Sequence, residues 1–104
     1  MKRMKHIQKR LGRLSMENDH FVYILQCKDD TLYTGYAVDV EKRLKVHESG
    51  KGAKYTRGRG PFEVVYVEQC SSKSAALKRE YDIKKMRREE KDMMIQQYEK
   101  GEKT

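Results

Sequence analysis

The chain holds only two cysteines, Cys27 and Cys70, and they form no C-x-x-C spacing, so neither a zinc site nor a disulfide framework is suggested. Reduced, buried thiols are the expectation. Long apolar runs are missing as well: the longest uninterrupted one is Phe21 to Leu25, far short of a signal-peptide core or a membrane span. A soluble, cytoplasmic protein without a membrane partner follows as the expectation. The phosphate-cradling pattern G-x-x-x-x-G-K-[ST] does not occur, and neither internal repeats nor a linker between domains can be found.

What the chain has in excess is positive charge. Its 104 residues carry 24 Lys and Arg against 16 Asp and Glu, a formal net charge of +8. That length fits one domain with a modest core, such as a small sheet with helices laid on it. The charge predicts attraction to a polyanion, because each Lys or Arg that meets a phosphate releases condensed counterions. The plainer reading is that it only keeps the protein soluble.

Residues 1–19 stand apart: Lys2, Arg3, Lys5, Lys9, Arg10 and Arg13 outweigh Glu17 and Asp19, and large apolar residues are few. Ile7, Leu11 and Leu14 share a helical stripe, but so short a helix is marginal without a partner. A disordered basic arm is expected, followed by a domain over 20–99 and a tail over 100–104.

Phe21 to Cys27 is dense in β-branched and aromatic residues and reads as a strand covered on both faces. Lys28-Asp29-Asp30 is turn chemistry and Thr31 to Ala37 a second strand, so the two make a β-hairpin. Gly35 within that strand leaves room for a close approach, by a helix or by a ligand. Asp39 caps a helix running to about Ser49 and ended by Gly50, with Val40, Leu44 and His47 on one stripe. A glycine-rich basic segment follows, with one short helical turn around Ala53 to Thr56. Phe62 to Gln69 is a third strand, Ser72 or Ser74 caps a helix to about Met86, and a last helix near Glu89 to Tyr98 ends before Gly101. The expected fold class is α+β: a small three-stranded antiparallel sheet flanked by helices, in the order β-β-α-β-α-α.

On this frame Tyr23 and Tyr33 lie on neighbouring strands, Arg43 and His47 lie one turn apart on the first helix, and Glu80 falls between Ala76 and Ile83 on an inward stripe. A buried carboxylate needs a cation, a hydrogen-bond network or a metal, and a salt bridge to Arg43 is the structural alternative. Two strand tyrosines are often just core residues with satisfied hydroxyls, and a helix histidine is often just a surface one. Together, however, a phenol, a guanidinium, an imidazole and a carboxylate are what a metal-assisted phosphodiester hydrolase needs. Lys51, Lys54, Arg57 and Arg59, interleaved with glycines, suit a backbone that follows a phosphate chain. Lys84 and neighbouring cations extend that surface, some pairing instead with Asp82, Glu89 or Glu90.

In these residues the sequence resembles the GIY-YIG nuclease superfamily, in particular its small single-domain bacterial members. Val22-Tyr23-Ile24 stands where the family writes G-I-Y, with Tyr23 as its tyrosine, and Tyr33-Thr34-Gly35 stands for Y-I-G. Arg43, ten residues after Tyr33, matches the family's arginine, and His47 its frequent histidine one turn later. The likeness runs from His20 to about Arg88. It begins only after Met16, which makes Met16 an alternative physiological start.

The resemblance implies a metal-dependent endonuclease. Glu80 would be the ligand of Mg²⁺ or Mn²⁺, a hard cation that takes one carboxylate plus waters and substrate phosphate. Tyr33 would accept a proton from the attacking water, Tyr23 would orient Tyr33 or the phosphate, Arg43 would neutralise charge on the phosphoryl oxygens, and His47 would assist proton transfer or hold the phosphate. The expected partner is nucleic acid, DNA favoured over RNA, with targeting supplied by this domain or by a partner protein. A nucleic-acid-binding module with the same fold and little or no catalysis is the alternative. The first motif lacks its glycine, Thr34 replaces isoleucine, and the late asparagine of several family nucleases has no counterpart, since no Asn follows Asn18.

Overall fold

The computed structural model describes residues 19–103. Its elements are β1 (His20–Gln26), β2 (Leu32–Ala37), α1 (Val40–Glu48), a single 3₁₀ turn (Lys54–Thr56), β3 (Glu63–Cys70), α2 (Lys73–Lys84) and α3 (Arg88–Lys103). The sheet has the order β2-β1-β3 with both pairings antiparallel, so the expected α+β architecture is what the chain adopts. The expected basic arm lies, apart from Asp19, outside the described residues.

β1 is central and covered on both sides, which is why it is apolar without interruption. Its odd positions Phe21, Tyr23 and Leu25 pack with Val40 and Leu44 of α1 and with Phe62, Val64 and Val67. Its even positions Val22 and Ile24 pack with Val65, Ala76 and Ile83, backed by Met86, Met94 and Ile95. Each fully buried aliphatic side chain here contributes about 1.5–3 kcal/mol. The β1–β3 register slips between Ile24 and Leu25, because Ile24 faces Tyr66 while Leu25 faces Val64. The extra residue, Val65, turns with Tyr66 toward the α2–α3 side, as a β-bulge allows.

The hairpin turn closes through Cys27 and Thr31, and Asp30 takes a left-handed φ of 70° that Asp tolerates better than most residues. Asp39 caps α1 by accepting from the Lys42 amide at 3.1 Å, and Gly50, at φ +83°, follows the helix in the left-handed conformation that favours glycine. Ser72, rather than Ser74, caps α2 through the Ala75 amide at 3.1 Å. The last helix departs from expectation, since it continues through Gly101 to Lys103. A helix-interior glycine costs only about 1 kcal/mol relative to alanine, and the tail expected over 100–104 is helical to 103. No helix among the described residues is long and apolar enough to cross a membrane.

Candidate active site

Tyr23 leaves the centre of the sheet on the α1 side and is only 1% exposed. Its ring lies across Gly35, its direct partner on β2: a Cβ there would stand 2.5 Å from the Tyr23 hydroxyl. The close approach that Gly35 permits is therefore made by the Tyr23 side chain, not by a helix or a ligand.

The Tyr23 hydroxyl meets His47 Nε2 at 2.8 Å, and His47 Nδ1 meets Thr56 Oγ1 at 2.8 Å. His47 is 1% exposed, so the alternative of a surface histidine is excluded; with both ring nitrogens engaged inside the protein it cannot also grip a phosphate. Thr56 Oγ1 in turn lies 2.8 Å from the Ala53 carbonyl oxygen. Gly52 is packed so tightly on the imidazole that a Cβ would overlap Nδ1. Thr56 is 1% exposed in a segment whose glycines and cations give no signal of burial, and composition marks neither it nor Gly52 as a site residue.

Tyr33 is half-buried beside this chain. Its ring centroid lies 6.4 Å from that of Tyr23 and 5.3 Å from that of His47, and it stacks on Tyr55 at 6.0 Å and 24°. Lys84 Nζ sits 5.9 Å from the Tyr33 ring centroid and 3.1 Å from Glu80 Oε2. The partner of Glu80 is thus Lys84, one turn along α2, and the alternative salt bridge to Arg43 is not the one formed. The Glu80 side chain is 17% exposed, inward enough to feel the site and open enough to meet solvent.

The electrostatics tie these groups together. Burial raises the Tyr23 phenol well above its usual range; the neighbouring Tyr33 and Glu80 add to the rise, while hydrogen bonding and charge from Arg43 oppose it. The same burial, with Arg43 nearby, lowers His47 below its ordinary value, so the imidazole is neutral at pH 7. Tyr23, Tyr33 and His47 are in ring contact, and the charge of Arg43 acts on both Tyr23 and His47. Although Ala76 and Ile83 of α2 pack on the opposite face of the sheet from Tyr23, Lys84 links Glu80 to the Tyr33 ring.

Of the basic segment, Lys51, Lys54 and Arg57 are exposed and make no ion pair among the described residues. Arg59 is used internally: it pairs with Asp29 of the hairpin turn, donates to the Tyr55 carbonyl at 2.7 Å and covers the Tyr55 ring at 4.6 Å. No group of three or more His, Cys, Asp or Glu side chains suited to a metal occurs among the described residues. Glu80, linked through Lys84 to the Tyr33 ring, offers a hard oxygen near the phenols. One carboxylate supplemented by water and phosphate is a normal Mg²⁺ arrangement, so the donor set fits.

Comparison with known proteins identifies the family. The family model described as the GIY-YIG catalytic domain matches residues 19–93. The UPF0213 protein OB0043 of Oceanobacillus iheyensis is 57% identical over 81 residues, spanning 78% of this chain and 94% of that protein. The UPF0213 protein NP_0776A of Natronomonas pharaonis is 52% identical over 80 residues, 77% of this chain and 94% of its own. Among solved structures, the solution NMR structure of the protein EF2693 from E. faecalis is similar at 38% identity and a TM-score of 0.54, over 81% of this chain and 92% of that one. On the match to the larger part of its length, this chain belongs to the GIY-YIG catalytic domain family.

Proposed function

We propose that the protein is a divalent-metal-dependent endonuclease that hydrolyses phosphodiester bonds in nucleic acid, with DNA the favoured substrate. The observation that carries this reading is that Tyr33 lies against Tyr23 and His47 on one side and against Lys84, the ion-pair partner of Glu80, on the other, in a strongly basic chain. Family membership supports the reaction class; the residue roles rest on chemistry and position.

Tyr33, the more accessible phenol, takes the proton of the attacking water. Tyr23 is buried, bonded through its hydroxyl to His47, and orients Tyr33 by backing its ring. Arg43 offers its fork to the phosphoryl oxygens as charge grows on them, a contribution that for a single such donor is about 2.7–4 kcal/mol in the barrier. Glu80 would hold Mg²⁺ or Mn²⁺, which when bound polarises the phosphate and its leaving oxygen. Lys84 must then yield part of its hold on that carboxylate. Lys51, Lys54 and Arg57 would follow the backbone of the nucleic acid, whereas Arg59 acts on it only through the loop it pins.

Incubation with a labelled DNA oligonucleotide, with and without Mg²⁺ or Mn²⁺ and with excess chelator, tests the reading. Metal-dependent cutting that the chelator abolishes is expected. Salt-sensitive binding with no cutting under any metal would favour the non-catalytic module instead.

A further inference from the structure

The chain of contacts running inward from Tyr23 has a direction that its donors and acceptors decide. Thr56 has a single hydroxyl proton, and its oxygen lies 2.8 Å from the Ala53 carbonyl, a group that can only accept. The proton must lie between them. Thr56 Oγ1 therefore accepts from His47 Nδ1, which must carry a hydrogen. In a neutral imidazole the other nitrogen is then bare, so Nε2 accepts from the Tyr23 hydroxyl.

We propose that Thr56 is a positioning residue that holds His47 as the Nδ1–H tautomer, so that Nε2 accepts from the Tyr23 hydroxyl and fixes the Tyr23 phenol that backs Tyr33. The inference deepens the hydrolase reading and rests on it. In the step, one O–H bond of water breaks and its electron pair forms the new P–O bond. The released proton goes to Tyr33 as Tyr33 gives its own to solvent, while the Tyr23 proton stays in the bond to Nε2. The leaving oxygen departs with the electrons of the broken P–O bond and is protonated from solvent. No phenolate need stand free in the buried site, where burial disfavours it. Gly52 serves the same end, since any larger residue would push the loop, and Thr56 with it, off the imidazole.

The test uses ¹⁵N-labelled full-length protein, with the imidazole nitrogens of His47 assigned by comparison with His47→Gln. Wild type and Thr56→Ser should both show a protonated Nδ1 and a bare Nε2, and Thr56→Val should lose that preference. In single-turnover cleavage of a short DNA oligonucleotide with Mg²⁺, Thr56→Val should lower the rate about tenfold or more without weakening oligonucleotide binding, and Thr56→Ser should restore it. A wild-type His47 protonated at Nε2 overturns the inference even if Thr56→Val fails to fold. So does a folded Thr56→Val that cuts at the wild-type rate. If the wild-type protein cuts nothing, the hydrolase reading fails, an outcome separate from a wrong tautomer in an active enzyme.

Discussion

Tyr23 on β1 and His47 on α1, 24 residues apart in sequence, meet through a 2.8 Å hydrogen bond in the protein interior. The bond joins a phenol that burial keeps protonated to an imidazole that burial keeps neutral. Strand, helix and candidate chemistry are fastened together at this one contact.

Stability should depend on pH through His47. Its folded-state pKa lies below the ordinary value of 6.5, so between the two values the unfolded chain binds more protons than the folded one. The contribution is complete above pH 6.5 and is lost as pH falls below it toward the depressed value. Urea unfolding of wild type and His47→Gln between pH 8 and pH 5 checks this. Wild type should lose up to about 1.4 kcal/mol more per pH unit than the variant within the window, and parallel curves would show that another group is responsible.

Thr34 stands where the family motif has isoleucine, and its hydroxyl oxygen is buried with no hydrogen-bond partner among the described residues. An unsatisfied buried hydroxyl costs about 1–3 kcal/mol. Thr34→Val should therefore stabilise the fold by roughly 1 kcal/mol in denaturant titration, while leaving any cleavage rate within about threefold of wild type.

Gly35→Ala should do the opposite. The new methyl would collide with the Tyr23 hydroxyl and crowd the Tyr33 ring. Overpacking of this kind costs about 1–3 kcal/mol, and the displaced phenol should lose its bond to His47. A drop in melting temperature, with the His47 imidazole shifts altered by NMR, is the expected pair of results.

Nucleic-acid binding should divide the loop cations into two kinds. Alanine at Lys51, Lys54 or Arg57 should weaken oligonucleotide binding and reduce the salt slope by about one for each phosphate that the missing side chain no longer neutralises. Alanine at Arg59 should lower stability as well as binding, because Arg59 ties the loop to Asp29 and covers Tyr55. Fluorescence anisotropy over a salt series, alongside thermal melts, separates the two.

Much of the frame was legible in the residues. The uninterrupted apolar run from Phe21 to Leu25 announced a central strand, Asp39 and Gly50 bracketed α1, and the spacing of Ala76, Glu80 and Ile83 turned the carboxylate inward. The Lys84 partner of Glu80 was also within reach, because a Glu followed four residues later by Lys is a favourable helix pair. Other features depend on tertiary packing and leave little local trace. The loop threonine at 56 is buried only because Gly52 lets the chain close over His47, and Gly35 answers to the size of a ring on the next strand. Nor does the pattern of β3 reveal that Val65 is the extra residue of a bulge. The helix through Gly101 shows the converse, a local signal overridden while Met94, Ile95 and Tyr98 of the same helix pack on the core.

The most direct test is single-turnover cleavage of a labelled DNA oligonucleotide by wild type, Tyr33→Phe and Glu80→Ala, purified alike and assayed with saturating Mg²⁺. Loss of the proton acceptor or of the metal carboxylate should each slow cutting by about 10²–10⁴-fold, with both variants still folded and still binding the oligonucleotide. Equal residual cutting in all three would mean that a contaminant does the work, and that this cluster of phenols, arginine and carboxylate is a structural feature of a basic fold.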